Sequence, residues 1–395
     1  MGNLVKEHCL DCTHLSIQQD GEEYTIGDPV IGEFIRVPEV AADVVRGFDG
    51  EKTIEEVKES VEAKYGEEVD VLDFAETLLE MGLILKINGV LLNEEVDREV
   101  NPGLQKAGSI LFSKPFMVLY TLSAIAAIFL IAYSPSLFPS FRDVFLFESV
   151  GLSAMMILIT ISATTIIHEF AHVLAANRLG VKTKVQLNLR MVFLVAETDM
   201  SGLWSRAKKE RYTPYLAGMA WDGVMILTCL LIKLFVPIAF IASFAQMVTF
   251  FLLFGVISQF VIFLRTDMYF VLINWVNTSA LHEHSLVFLQ KIFLSKRQDE
   301  WQRLAPHEKK HAKWFSLLYM FGGAVATFLF VYFQILPSLY GLQQAYENIT
   351  QHALTNLYFW DGILVVVALL IQVGAWLIGL RTARNERQAN QAVSA

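Results

Sequence analysis

Residues 151–179 read GLSAMMILITISATTIIHEFAHVLAANRL, and this stretch decides the fold class. It is apolar over almost its whole length and exceeds the ~20 residues that an α-helix needs to cross a bilayer core. Yet it holds His168-Glu169-Phe170-Ala171-His172. Ionisable groups are costly at membrane depth, so their presence marks a site rather than a solvated face. Histidines at i and i+4 share one side of a helix, where both imidazoles can take two positions of a tetrahedral Zn²⁺ with Glu169 beside the water. Zinc brings the pKa of such a water to ~7, and Glu169 can accept its proton and pass it to a leaving amine. The residues therefore predict an intramembrane zinc peptidase centre, with Glu169 catalytic and His168 and His172 as metal ligands.

A second match, His307-Glu308-Lys309-Lys310-His311, lies in a polar stretch from Lys296 to Lys313. Its two internal lysines oppose a dication, whereas the first copy has uncharged residues inside and follows Thr164-Thr165-Ile166-Ile167. The second copy reads as a solvated helix start carrying the charges that flank a membrane segment.

With 54% hydrophobic residues, 18% charged residues and a mean hydropathy of +0.45, the chain is far from a soluble domain. Apolar runs at 116–134, 151–177, 214–237, 243–264, 314–336 and 358–380 predict about six spans and put both termini on one side. Lys and Arg select that side. Segment 178–213 has Arg178, Lys182, Lys184, Arg190, Arg206, Lys208, Lys209 and Arg211, segment 265–313 has a similar set, and the tail has Arg381, Arg384 and Arg387. Segment 337–358 has neither residue, and the loop near 135–150 has Arg142 alone. Both termini are thus expected in the cytoplasm. His168 and His172 then lie about two turns from the cytoplasmic end of their helix.

The first ~110 residues are polar and acidic, and are expected to lack a secretory signal and to stay cytoplasmic. Cys9, Cys12 and Cys229 are too scattered for a disulfide framework, although His8, Cys9, Cys12 and His14 have the spacing of a small metal cluster. Strand-like runs at Glu23–Ile26 and Glu33–Val37 precede helical segments. Thr53 and Glu56 form a capping-box pair, Asp70 an N-cap, and Gly82 a C-cap. Leu83–Ile87, Asn88-Gly89 and Val90–Leu92 read as a terminal hairpin. The pattern predicts an α+β winged helix. Its helices carry Glu55, Glu56, Glu59, Glu62, Glu67, Glu68, Asp70, Asp73, Glu76 and Glu80, which repel phosphates and argue against nucleic acid. The net charge of −9 arises largely here. A strand edge could instead accept a peptide by strand addition.

The stretches GDPVIGEFIRVPEVAADVVRGFDGEKTIEEV and YGEEVDVLDFAETLLEMGLI resemble the PqqD-like peptide-chaperone fold. That resemblance implies capture of the leader segment of a ribosomally made, modified peptide in a groove between the small sheet and a helix. A docking module for another protein is the alternative. The region from Ser109 to Arg381 resembles the site-2 protease family of zinc metalloproteases, in particular its peptide zinc metalloprotease branch. The carriers are HEFAH, the small-residue segment Leu216-Ala217-Gly218-Met219-Ala220-Trp221-Asp222-Gly223, and FLRTDMYFVL. The resemblance implies that Asp267 is the third zinc ligand. Met219, Thr266 and Met268 depart from the residues usual in those motifs, a Pro, a Leu and a Gly.

Independently of family, two histidines leave zinc in need of a third protein ligand and an open position. Asp267 directly follows an apolar span and suits that need, or else pairs with Arg265 at the membrane boundary. Asp222, beside Gly218 and Gly223, is expected to orient a ligand or substrate. His282 and His284 are further candidates. Alternation from Lys182 to Val195, followed by Glu197-Thr198-Asp199, reads as strand and makes Asp199 a candidate for contact with substrate or with the ligands; the resemblance implies a hairpin that holds an extended substrate. A basic loop on lipid headgroups is the plainer reading.

The expectation is an α-helical polytopic membrane protein of the bacterial plasma membrane. Residues 1–22 read as an extension, 23–95 as the peptide-binding domain, 96–113 as a linker, 114–381 as the membrane metalloprotease domain and 382–395 as a tail. The expected partners are a peptide substrate or leader peptide, the lipid bilayer, and a peptide-modifying enzyme or exporter. A non-catalytic peptide-binding or export accessory, and a regulated intramembrane protease acting on a transmembrane factor, are the alternatives.

Overall fold

The computed structural model describes residues 4–21, 23–92, 100–190, 193–278, 281–331 and 335–393. The N-terminal region comprises β1 (Cys9–Asp11), β2 (Ser16–Asp20), β3 (Glu23–Asp28), β4 (Glu33–Val37), α1 (Glu39–Gly47), β5 (Asp49–Thr53), α2 (Ile54–Tyr65), α3 (Val71–Glu80), β6 (Lys86–Ile87) and β7 (Val90–Leu91). Two antiparallel sheets form, in the orders β5-β1-β6-β7 and β2-β3-β4. The local signals act as expected. The Thr53 hydroxyl accepts from the Glu56 amide at 3.2 Å while the Glu56 carboxylate accepts from the Thr53 amide at 2.8 Å. Asp70 accepts from the Asp73 amide at 3.1 Å, and Asn88 and Gly89, at φ 50° and 78°, close the terminal hairpin.

Residues 4–21, expected to belong to an extension, are part of the folded domain. They supply β1 and β2, and Leu4, Leu10, Cys12 and Leu15 enter the same buried core as Ile26, Phe48, Ile54, Val71 and Leu78. The polar run Ser16-Ile17-Gln18-Gln19-Asp20 concealed a strand, because its pairing with β3 rather than its composition holds it.

The remainder is helical: α4 (Pro102–Leu111), α5 (Lys114–Tyr133), α6 (Val150–Arg178), the hairpin β8 (Lys184–Arg190) and β9 (Phe193–Asp199), α7 (Lys208–Phe235), α8 (Ala239–Ser258), α9 (Asp267–Val276), α10 (Leu281–Leu294), α11 (Gln298–Arg303), α12 (Pro306–Phe330), α13 (Leu336–Gln351) and α14 (Leu357–Val393). Five helices among the described residues are long and apolar enough to cross a membrane: α5, α6, α7, α8 and, over Leu357–Asn385, α14. The chain is a multi-pass helical membrane protein. The expected span at 314–336 falls on α12, whose first turns carry Lys309, Lys310 and Lys313, and residues 332–334 lie outside the described ones.

The run expected as one span at 243–264 is broken. α8 stops at Ser258, a short 3₁₀ turn covers Ile262–Leu264, and Arg265 adopts a left-handed φ of 58° before α9 begins at Asp267. The Asp267 amide donates to the Gln259 side chain at 3.0 Å and the Thr266 hydroxyl to the Gln259 carbonyl at 2.5 Å, so one residue stitches the break closed. Irregular backbone in a membrane is tolerated where protein satisfies its polar groups.

The N-terminal region sits directly on the helices. Asp20, at the end of β2, accepts from Arg211 Nη2 at 2.6 Å, with the side chains 1% and 0% exposed. Arg36 on β4 donates to the carbonyl and to the Oδ1 of Asn277 at 2.6 and 2.7 Å.

One acid-sensitive joint lies inside the N-terminal region. Burial opposes ionisation of Asp43, but bonds from Lys64, Tyr65 and Arg46 prevail and hold its carboxyl at about 2, against an ordinary value of 3.8. Below pH ~4 the unfolded chain therefore binds the extra proton first, and the stabilisation, complete above that point, is lost as pH falls towards 2. Amide exchange of α1 and α2 in the full chain should accelerate across that interval, and Asp43→Asn should flatten the dependence.

Candidate metal centre

His168, Glu169 and His172 lie on α6 and are 8%, 8% and 1% exposed. Their donor atoms lie within 4.8 Å of one another, and this buried group could hold a metal ion. The neighbours of each atom narrow the arrangement. His172 Nδ1 is 2.7 Å from the carbonyl of Pro214 on α7. A carbonyl only accepts, so Nδ1 carries the proton and a neutral ring directs its Nε2 lone pair the other way. His168 Nδ1 lies 2.7 Å from Asp222 Oδ2, also on α7, which orients that ring in the same sense. Asp222, expected to orient a ligand or substrate, lies against the His168 ring.

Both Nε2 atoms point at one oxygen: Asp267 Oδ2 is 3.0 Å from His168 and 3.2 Å from His172. Donors held ~2.0–2.1 Å from a tetrahedral ion lie about 3.3 Å apart. Both distances suit donors that share one cation, as they suit hydrogen bonds. Charge argues likewise, since Glu169, Asp222 and Asp267 bring three carboxylates to two imidazoles that are neutral when they ligate. The break between α8 and α9 makes this possible by placing Asp267 at the first turn of α9 rather than in a loop. Its carboxylate pairs with the histidines, not with Arg265.

Close helix approach completes the pocket. A Cβ on Gly218 would lie 2.3 Å from His168 Nε2, so any larger residue there would have to displace the ring. Glu169 is held from the other side, where the Thr198 hydroxyl donates to Glu169 Oε2 at 2.7 Å. Asp199, the residue expected to contact substrate or the ligands, is one residue away. Side chains alternate along a strand, so with Thr198 facing α6, Asp199 faces outward, is exposed, and accepts from the Ser201 amide at 3.0 Å. Thr198 was detectable only by fixing which face of β9 meets α6. The hairpin lies between α6 and α14: Asn188 bonds Glu197 at 2.9 Å, and a Cβ on Gly379 would lie 2.6 Å from Leu194.

The other candidates lie elsewhere. Glu308 accepts from the Ala305 amide at 3.1 Å, capping α12, and sits 3.9 Å from His284 Nδ1. The His282 ring packs edge-on to Tyr319 at 5.0 Å, and its amide donates to the Tyr269 hydroxyl at 3.1 Å. At the N-terminus His8 accepts from the Val5 amide at 3.3 Å, Cys9 faces the Glu51 carbonyl, and His14 lies 3.6 Å from Asp28. Burial, with the nearby Asp11 charge, pushes the Cys12 thiol up to about 12, so it remains a thiol. These side chains do not converge.

Two substitutions probe the geometry. Gly218→Ala should displace His168 and cut the bound Zn²⁺ found by equilibrium dialysis at least tenfold, whereas Asp199→Asn should leave it unchanged. Metal retention should also fall as pH is lowered, because protons compete for both Nε2 atoms.

Comparisons with protein-family models, with curated proteins and with solved structures returned no match.

Proposed function

We propose that the chain is a membrane-embedded zinc endopeptidase that cleaves a peptide captured by its N-terminal domain. One observation carries this reading: two imidazole Nε2 atoms and the Asp267 carboxylate converge at the spacing of shared ligands, with Glu169 beside them. His168, His172 and Asp267 would hold Zn²⁺. Bound there, the ion would supply Lewis acidity, lowering the pKa of a water at its open position and polarising a peptide carbonyl.

The residues of the chain then divide the remaining work. Glu169 accepts a proton from water and returns it to the leaving amine. The Thr198 hydroxyl holds one carboxylate oxygen, so the other is free to face the reacting atoms. Asp222 and the Pro214 carbonyl keep both rings aimed. Burial of the group excludes bulk water, which strengthens each of these contacts.

The N-terminal domain is read as a PqqD-like winged helix that binds a leader peptide along a strand edge. Support comes from β2-β3-β4, in which β4 has β3 as its only strand partner among the described residues. With the positive loops facing inward, the protein sits in a bacterial plasma membrane with the site opening to the cytoplasm.

In purified protein Glu169→Gln should retain zinc while losing cleavage by ~10²–10⁴-fold, and full activity in that variant would remove Glu169 from the mechanism. Asp267→Ala should weaken zinc binding, measured by competition with a chromogenic chelator, whereas His307→Ala and His311→Ala should not. Zinc without any hydrolysis in the unmodified protein would instead favour the non-catalytic peptide-binding accessory.

A further inference from the structure

Two polar joints hold the N-terminal region on the helices, beside the packing of the turn around Pro29 and Gly32 on Ser201 and Gly202. One is Asp20–Arg211, fully buried, with the Arg211 guanidinium also donating to the Arg206 carbonyl at 2.8 Å and stacked over Trp204 at 4.6 Å. The other is Asn277, whose main-chain and side-chain oxygens accept from Arg36 and whose side-chain Nδ2 donates to the Asp20 carbonyl at 3.4 Å. Asp20 is itself fixed by the Thr25 hydroxyl at 2.9 Å.

Both points lie at the ends of elements that build the metal centre. Arg211 is three residues before Pro214, whose carbonyl fixes His172, and lies in the first turn of the helix that carries Gly218 and Asp222. Asn277 is the left-handed C-cap of α9, whose first residue is Asp267. A helix of 10 residues is a rod of about 15 Å, and its end is held by Arg36 while its start faces two histidines. Asn274 on α9 also donates to the Lys208 carbonyl at 3.0 Å, tying the two rods together.

We propose that Asp20, Arg36, Arg211 and Asn277 are positioning residues: the N-terminal domain clamps α7 and α9 and thereby holds Asp267 in register with His168 and His172. The domain is then part of the frame of the centre, not only a tethered capture module. The inference rests on the metal reading for its zinc consequence, but the clamp on α9 is independent of it.

The deciding variant is Asn277→Gly in the full chain. Glycine adopts φ near +57° without strain, so the cap of α9 survives while both side-chain bonds to the N-terminal domain are lost. Arg36→Ala cuts the same joint from the other side, and Lys58→Ala on α2 is a control outside it. Amide exchange over residues 267–276 should accelerate about tenfold in the first two and not in the control, with strands β2–β4 still protected in Asn277→Gly. Zinc affinity, by chelator competition, should fall about tenfold, the lower end for loss of a group that orients a ligand. Cleavage of a short peptide should lose kcat, whereas a mere capture module would alter only the KM of a long precursor. Unchanged exchange in α9 for both variants would overturn the proposal. If the unmodified protein binds no zinc, the metal reading fails, and the exchange result alone decides the clamp.

Discussion

Two histidine rings that meet one buried carboxylate oxygen need a positive charge among them, a proton or a cation, because the membrane around them screens charge far less than water does. Much of the helical architecture follows from keeping those three groups together. α7 runs against α6 closely enough that any residue larger than Gly218 would displace the His168 ring, and it orients both rings. α8 gives up its last turns so that α9 can begin beside them. Burying so many polar groups costs several kcal/mol for each one left unpaired, which explains why each ring nitrogen and the Glu169 carboxylate has a partner.

Polar contacts form a path from the N-terminal domain to the start of α7 and the end of α9. Asp20 grips Arg211, Arg36 grips Asn277, and Asn274 links α9 to α7. Such a path stiffens short helices that lipid alone would not hold. α9, with 10 residues, is too short to cross a bilayer. Its position therefore depends on what holds its two ends, a dependence that longer helices such as α6 and α14 escape.

Sequence made the chemistry legible where spacing and polarity coincide. His168, Glu169 and His172 stood out because charged groups interrupt an apolar helix, and Asp267 because it follows one. The caps at Thr53 and Asp70 and the Asn88-Gly89 turn were readable for a local reason: each depends on residues within one turn. What stayed hidden depends on pairing between distant segments. β1 and β2 are short and polar and exist through their partners. The break after Ser258 lies in a continuous apolar run without proline, so hydropathy alone extended the helix to residue 264. Thr198 lost to Asp199 because a charge attracts notice and a hydroxyl does not, although the face of the strand decides.

Proline 214 gives its carbonyl, not its side chain, to His172. Replacing residues one at a time changes what hangs from the main chain and leaves its oxygens in place. A mutational scan would thus score this partner of the histidine as silent, or would register it only through altered curvature of α7. Half of what aligns the two rings is therefore inherited from the path of a helix and not from the identity of any residue along it.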